Sequence, residues 1–260
     1  MPNQKYIVIT GASSGIGYST AKAFGKRGRN LILVARRKEN LVKLKKEILD
    51  VNPELDIVIK VVDLTVEENL YQLFDELADY EIDTWINNAG FGYYSDFADQ
   101  DIAKTVKMLR LNIEALTILS MLFVQKYQNI ENTQVINVSS AGGYTIVPTA
   151  ITYCGTKFYV SSFTEGLDRE LIDKGAKMRA KVLAPAATKT EFGKVANDLD
   201  SYDYDKAFGT YHSSDQMALF LLDLYDSDKT VGHINRESFT FELSDGLFNY
   251  SDNSSSNQKP

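Results

Sequence analysis

Tyr153 and Lys157 stand four apart in Tyr153-Cys154-Gly155-Thr156-Lys157, a spacing that puts both on one face of a helix. An isolated phenol titrates near about 10. An ammonium beside it favours the phenolate, so the pair can act as an acid/base at neutral pH. Lys157 can also hold a ribose hydroxyl. A tyrosine and a lysine at this spacing also occur on plain solvent-facing helices, so the pair gains meaning only from its neighbours. One neighbour is Val135-Ile136-Asn137-Val138-Ser139-Ser140, an apolar strand ending in hydroxyls. At the ligand end of a parallel strand, Ser140 can bond a substrate oxygen and stabilise charge developing there. The plainer alternative is that both serines only terminate the strand.

Thr10-Gly11-Ala12-Ser13-Ser14-Gly15-Ile16-Gly17 follows an apolar run and opens a helical pattern. Gly11 suits a tight turn needing positive φ. Gly15 lets backbone approach a diphosphate, and Gly17 lets the helix pack closely on the strand. The helix N-terminus then offers N–H groups and a positive dipole end to the phosphate. The spacing is G-x-x-x-G-x-G, which fits the generic dinucleotide fingerprint only loosely. Asn87-Asn88-Ala89-Gly90 ends another strand, and its small residues admit a flat ring close to backbone. Asn112 sits in a helical stretch that asparagine does not favour, facing solvent or holding a water near the site.

At the end of the second strand, Ala35 stands where an NAD-specific site carries an acid, and Arg36 and Arg37 follow. An acid there accepts from both ribose hydroxyls and repels a 2′-phosphate, whereas a guanidinium binds phosphate in bidentate fashion. This predicts NADP(H) over NAD(H), with Arg36 as the first choice and Arg37 sharing the task or pointing into solvent.

Positioning these groups requires alternating strands and helices. Strands are predicted at Tyr6–Thr10, Asn30–Ala35, Asp56–Val62, Thr84–Asn87, Gln134–Val138, Lys177–Ala184 and Ser238–Leu243. Helices are predicted near Gly15–Gly28, Glu39–Val51, Val66–Tyr80, Ile102–Gln128, Tyr153–Lys174 and Ser214–Tyr225, with Thr65-Val66-Glu67-Glu68 as a capping box. Regular alternation implies an α/β fold, a doubly wound parallel sheet with ligands at the carboxyl ends of its strands. Residues 251–260 read as a polar, serine-rich disordered tail after a domain spanning 1–250.

The glycine loop, Asn87–Gly90, Ser140 and Tyr153-x-x-x-Lys157, in this order and spacing, resemble the short-chain dehydrogenase/reductase family from Lys5 to about Phe192, and more weakly to Gly246. The resemblance implies a single-domain Rossmann-like fold, hydride transfer with a nicotinamide cofactor, and Tyr153 as catalytic acid/base. It implies that Lys157 lowers the tyrosine's pKa and binds the nicotinamide ribose. Ser140 orients the carbonyl, preferred over Ser139 because it stands thirteen residues before Tyr153. Asn112 completes a water relay, Asp63 contacts the adenine and Asn87 ties the central strands together. Pro185, Thr188 and Thr190 belong to the nicotinamide-side loop. Where the family has Pro-Gly, this chain has Pro185-Ala186, strained if that position needs a positive φ. The family habit also implies a homodimer or homotetramer.

The chain has 260 residues, 44% hydrophobic, with a formal net charge of -7. An acidic balance argues against nucleic acid or an anionic membrane as partner, and no run approaches 18 uninterrupted apolar residues. One cysteine, Cys154, and two histidines leave no metal-ligand cluster, and a reducing, cytoplasmic setting is expected. Tyr202, Tyr204, Phe208 and Tyr211 stand among Asp198, Asp200, Asp203 and Asp205, in the region that forms a lid in relatives. With Tyr144 and Phe91–Tyr94 they suggest a neutral, partly apolar carbonyl or alcohol substrate; packing of the lid onto its own domain explains them equally. A serine-type hydroxy acid held by Lys189 or Lys194 is the runner-up. The rival functions are a dinucleotide-binding protein without turnover, a nucleotide-sugar epimerase, for which about a hundred residues are missing, and a ketoacyl-carrier reductase.

Overall fold

The computed structural model describes residues 5–251. The predicted tail, Ser251 apart, lies outside the described residues. Among them, eight strands form one sheet in the order β10-β9-β6-β5-β4-β1-β2-β3. These are β1 (Tyr6–Thr10), β2 (Asn30–Ala35), β3 (Ile57–Val61), β4 (Ile82–Asn87), β5 (Gln134–Val138), β6 (Arg179–Ala184), β9 (Val231–Ile234) and β10 (Phe241–Ser244). A two-stranded patch, β7 (Thr188–Lys189) and β8 (His212–Ser213), stands apart. All pairings in the large sheet are parallel except β9 with β10. The fold is the expected doubly wound, Rossmann-like α/β arrangement.

Alternation along each strand feeds two apolar layers. Ile7, Ile9, Leu31 and Leu33 face the layer shared with α1 (Gly15–Lys26), α2 (Lys38–Leu49) and α9 (Ser214–Asp226). Val8, Ile32, Val34 and Trp85 face α3 (Glu67–Asp75), α5 (Leu116–Tyr127) and α6 (Ile151–Asp173). The strand order reverses between β1 and β4, so a crevice opens beyond their carboxyl ends. Asn87 crosses the central strands as expected, donating to Asn137 Oδ1 at 2.9 Å and to Ser120 Oγ at 3.0 Å.

Four expectations need correction. The predicted capping box does not form: Val66 occupies the N-cap, and the Thr65 N–H and hydroxyl both donate to Asp63, at 3.0 and 2.8 Å. The single helix expected over Ile102–Gln128 is α4 (Ile102–Leu109), a π turn (Arg110–Ala115) and α5. Strand β9 was not foreseen, and the last strand runs Phe241–Ser244 rather than Ser238–Leu243. Ala186 is not among the non-glycine residues with positive φ, so the feared strain is absent. Ile102–Tyr127 is long and apolar enough by composition to cross a bilayer, and its α5 part packs on β4 and β5.

Lys181 shows how the sheet secures a helix end. Buried on β6, its ammonium donates to the carbonyls of Leu224, Tyr225 and Ser227 at 3.1, 2.9 and 2.7 Å, closing the C-terminus of α9. Burial, then the nearby Arg179, pulls its pKa from 10.5 to about 8. Between those values the unfolded chain binds more protons than the folded one, so this residue makes stability rise as pH climbs from 8 to 10.5. Lys181→Met takes the ammonium from the Ser227 carbonyl, while Leu224 keeps the Ser227 N–H and hydroxyl and Tyr225 keeps Gln134, and is expected to cost about 1–3 kcal/mol, a fall in Tm of roughly 2–10 °C. Calorimetry across that pH range checks both; an unmoved Tm would show that the Ser227 carbonyl finds another donor.

Candidate active site

A cleft of about 710 Å³ runs across the carboxyl ends of the strands. Of the residues singled out from sequence, Gly11, Ser13, Ser14, Gly15, Ile16, Arg36, Arg37, Asp63, Asn88, Ala89, Gly90, Ser140, Tyr153, Lys157, Pro185, Thr188 and Thr190 all line it. Gly17 and Asn112 stand behind the wall.

At one end is the glycine loop. Gly11 and Gly15 hold φ of 67° and 57°, the left-handed region glycine tolerates. A Cβ on Gly11 would stand 2.8 Å from Ala89 Cα. Gly17 has a different neighbour from the one expected: a Cβ there would collide with the Asn88 amide and the Gly11 carbonyl rather than with the strand. Asn88 donates to the Thr10 carbonyl at 2.9 Å, and the Thr10 hydroxyl accepts from the Asn88 and Ala89 N–H groups at 3.0 Å. These bonds fasten the β1 and β4 ends together. Ser14 makes no side-chain cap, which leaves the first N–H groups of α1 uncapped by it. The residues fit a dinucleotide: a tight glycine cradle, an open helix N-terminus and a long cleft.

Beside the loop, Arg36 is exposed and has Asp63 at 4.0 Å. Burial pulls the Asp63 carboxyl up, but the two Thr65 bonds and the Arg36 charge outweigh it, and the net shift is downward. Arg37 bonds Glu191 at 2.8 Å and Ser13 Oγ at 3.2 Å, linking the β2 end to the segment after β6. Glu191 was not foreseen from sequence, because it stands 154 residues from its partner.

At the other end are Ser140, Tyr153 and Lys157. Tyr153 is buried between Tyr94 and Phe192, with ring centroids 5.7 and 5.4 Å away. Burial raises its phenol above the ordinary tyrosine value, while a hydrogen bond with Ser140 pulls the other way. The expected lowering by Lys157 is not present in this arrangement. The Lys157 ammonium lies 5.9 Å from the Tyr153 ring centre and donates to the Val138 carbonyl at 2.8 Å. Burial brings Lys157 itself down to about 8. Ser140 Oγ accepts from the Gly142 N–H at 3.0 Å, leaving its own hydrogen free to donate. Ser139 points away and bonds the Lys157 carbonyl and Ser161. Asn112, in the π turn, clamps the Phe91 backbone at both N–H and carbonyl, at 3.1 and 2.9 Å, and donates to Thr156. Its side-chain amide is thus fixed by the Phe91 backbone and Thr156. Thr188 and Thr190 line the cleft, with Thr190 against Gly15 and its hydroxyl accepting from the Phe192 N–H at 3.1 Å.

The lid is partly as expected. Tyr202, Tyr204 and Phe208 line the cleft with Phe91, Tyr94 and Phe192; Tyr211 and Tyr144 do not. None of the four lid aspartates lines it, nor do Lys189 and Lys194. Lys194 pairs instead with Glu191, and Lys189 lies over the Tyr211 ring. The β9–β10 turn adds Arg236 and Phe239, unforeseen because nothing local in the sequence brings that turn to the cleft. Phe239 stacks on His212 at 4.6 Å.

The short chain dehydrogenase family profile matches residues 5–200. The chain belongs to this family. It is 30% identical over 217 residues to an uncharacterised oxidoreductase of Staphylococcus saprophyticus, covering 82% of this chain and 87% of that one. It is 29% identical over 210 residues to human dehydrogenase/reductase SDR family member 11, covering 78% and 80%. Among solved structures it is similar to a short-chain dehydrogenase from Sphingobium yanoikuyae in complex with NADPH, with a TM-score of 0.81, 28% identity and coverage of 90% and 89%. It is also similar to the bulky-bulky ketone specific alcohol dehydrogenase from Comamonas testosteroni, with a TM-score of 0.77, 26% identity and coverage of 90% and 87%.

Proposed function

We propose that this protein is an NADP(H)-dependent oxidoreductase that reduces a neutral, at least partly apolar carbonyl compound, or oxidises the matching alcohol. The observation that carries the reading is one cleft with Ser140, Tyr153 and Lys157 at one end and the glycine loop with Arg36 and Arg37 at the other. The cofactor, when bound, supplies or accepts the hydride. The protein's part is position and protons. Ser140 donates to the carbonyl oxygen and Tyr153 delivers the proton to it. Burial keeps the Tyr153 phenol in its protonated form at neutral pH, the form that has a proton to give. Lys157 holds a ribose hydroxyl. Asp63, beyond β3, takes the adenine side, Pro185, Thr188 and Thr190 flank the nicotinamide, and Asn112 supports the wall through Phe91.

The NADPH complex of the Sphingobium relative and the missing acid at Ala35 support the choice of cofactor. The aromatic wall of Tyr94, Phe192, Tyr202 and Tyr204 supports an apolar substrate, as does the bulky-ketone preference named for the Comamonas relative. A homodimer or homotetramer in a reducing, cytoplasmic compartment completes the reading; light scattering that gives a monomer mass would remove the assembly.

The test is purified protein with NADPH or NADH against neutral aryl and alkyl ketones, keto acids and quinones. Neutral bulky ketones should give the highest kcat/KM, with NADPH preferred. Faster turnover of carboxylates would favour the hydroxy-acid reading. Cofactor binding without reduction of any carbonyl would favour a binding protein without turnover.

A further inference from the structure

The face of α6 that carries Tyr153 and Lys157 continues in steps of four to Ser161 and Glu165. Glu165 is buried, and its carboxylate accepts three hydrogen bonds. Oε1 takes the Tyr144 hydroxyl at 2.6 Å, and Oε2 takes the N–H groups of Leu247 and Phe248 at 2.8 and 2.9 Å. The Phe248 ring stacks on Tyr144, with centroids 5.2 Å apart and planes 24° from parallel.

Tyr144 ends the turn that Ser140 begins. The turn between them is Ala141-Gly142-Gly143, and two glycines give it little stiffness of its own. Its start is pinned, because Ser139 Oγ bonds the Lys157 carbonyl at 2.9 Å and Ser161 Oγ at 2.7 Å. Its middle is pressed on α6 so closely that a Cβ on Gly143 would collide with Ser139, Ser161 and the Lys157 carbonyl. Its far end is held where the Tyr144 N–H donates to the Ala141 carbonyl at 3.1 Å and where the side chain meets Glu165, Ser161 and Phe248.

We propose that Glu165, Tyr144 and Phe248 form a clamp by which the segment after β10 fixes the Ser140–Tyr144 turn against α6, and so sets the Ser140 hydroxyl relative to the Tyr153 phenol. This rests on the reading of Ser140 as the group that orients the carbonyl. The three are positioning residues, since none touches the reacting atoms. Tyr153 and Ser140 would then be held by one rigid helix, directly in the first case and through the clamp in the second.

The test uses the full chain with Glu165→Ala, and with Tyr144→Phe, which keeps the stacked ring and removes one bond. Each is made with Ser140 intact and in a Ser140→Ala background. Hydrogen exchange over residues 139–147 should quicken in both variants. On the ketone the parent reduces best, kcat should fall on the order of tenfold to a hundredfold while KM for NADPH holds. In the Ser140→Ala background that fall should vanish, because nothing remains to be positioned. Unchanged exchange, or an equal fall in both backgrounds, would overturn the clamp. Full turnover in Ser140→Ala alone would sink the serine's role instead, a failure that the exchange measurement reads separately.

Discussion

Replacing Tyr153 with phenylalanine is expected to lower carbonyl turnover by roughly 10²–10⁴-fold and leave cofactor affinity nearly unchanged. The ring is held by Tyr94 and Phe192, contacts that a phenyl group keeps. Only the hydroxyl is lost, and with it the proton donor next to Ser140. Steady-state rates with a fluorescence titration of cofactor separate the two effects. Undiminished turnover in the variant would remove Tyr153 from the chemistry.

The same pair gives an expected pH dependence. Burial holds Lys157 near 8, so its ammonium is charged below that value and neutral above it. A contribution that needs the charge is present at lower pH and lost as pH rises through 8. The kcat/KM for reduction should therefore fall on the basic side, and Lys157→Met should lose that limb along with cofactor affinity. A profile flat through that value would refute the lysine's part.

The glycine loop, the Tyr153–Lys157 pair and the strand ends at Ala35 and Ser140 were legible because each is local. A turn needing positive φ selects Gly11 within its own few residues, and a helical face places Tyr153 over Lys157 by spacing alone. Long-range pairs have no such mark. The Arg37–Glu191 and Glu165–Phe248 contacts join residues 154 and 83 positions apart, and an exposed arginine or a helical glutamate looks the same with or without its partner. The break in the Ile102–Gln128 helix was hidden because a π turn needs no glycine or proline to announce it. The capping box failed because Thr65 had a nearer acceptor in Asp63, a competition that pattern matching does not weigh. β9 was missed because Val231-Gly232-His233-Ile234 is too short and too mixed to show a period.

Cofactor choice should follow one arginine of the two. Ala35 is buried at the end of β2, so no acid there opposes a 2′-phosphate. Arg37 is already held by Glu191 and Ser13, and using it would mean breaking a 2.8 Å ion pair. Among the described residues Arg36 has only Asp63 at 4.0 Å, and it is mostly exposed and lines the cleft. It can swing to a phosphate without giving up a short bond. A hydrogen bond to a charged group contributes about 1.5–3 kcal/mol, so Arg36→Ala should cut the NADPH-to-NADH ratio of kcat/KM by roughly 10–150-fold. Arg37→Ala should weaken both cofactors together, because it releases the glycine loop from the segment after β6, and should leave the ratio nearly intact. Ala35→Asp adds the missing acid and should turn the preference toward NADH. The measurement is kcat/KM for both cofactors in the parent and the three variants. A parent that prefers NADH would end the argument. A ratio that collapses in Arg37→Ala and holds in Arg36→Ala would show that the phosphate displaces Glu191, and the two arginines would exchange roles.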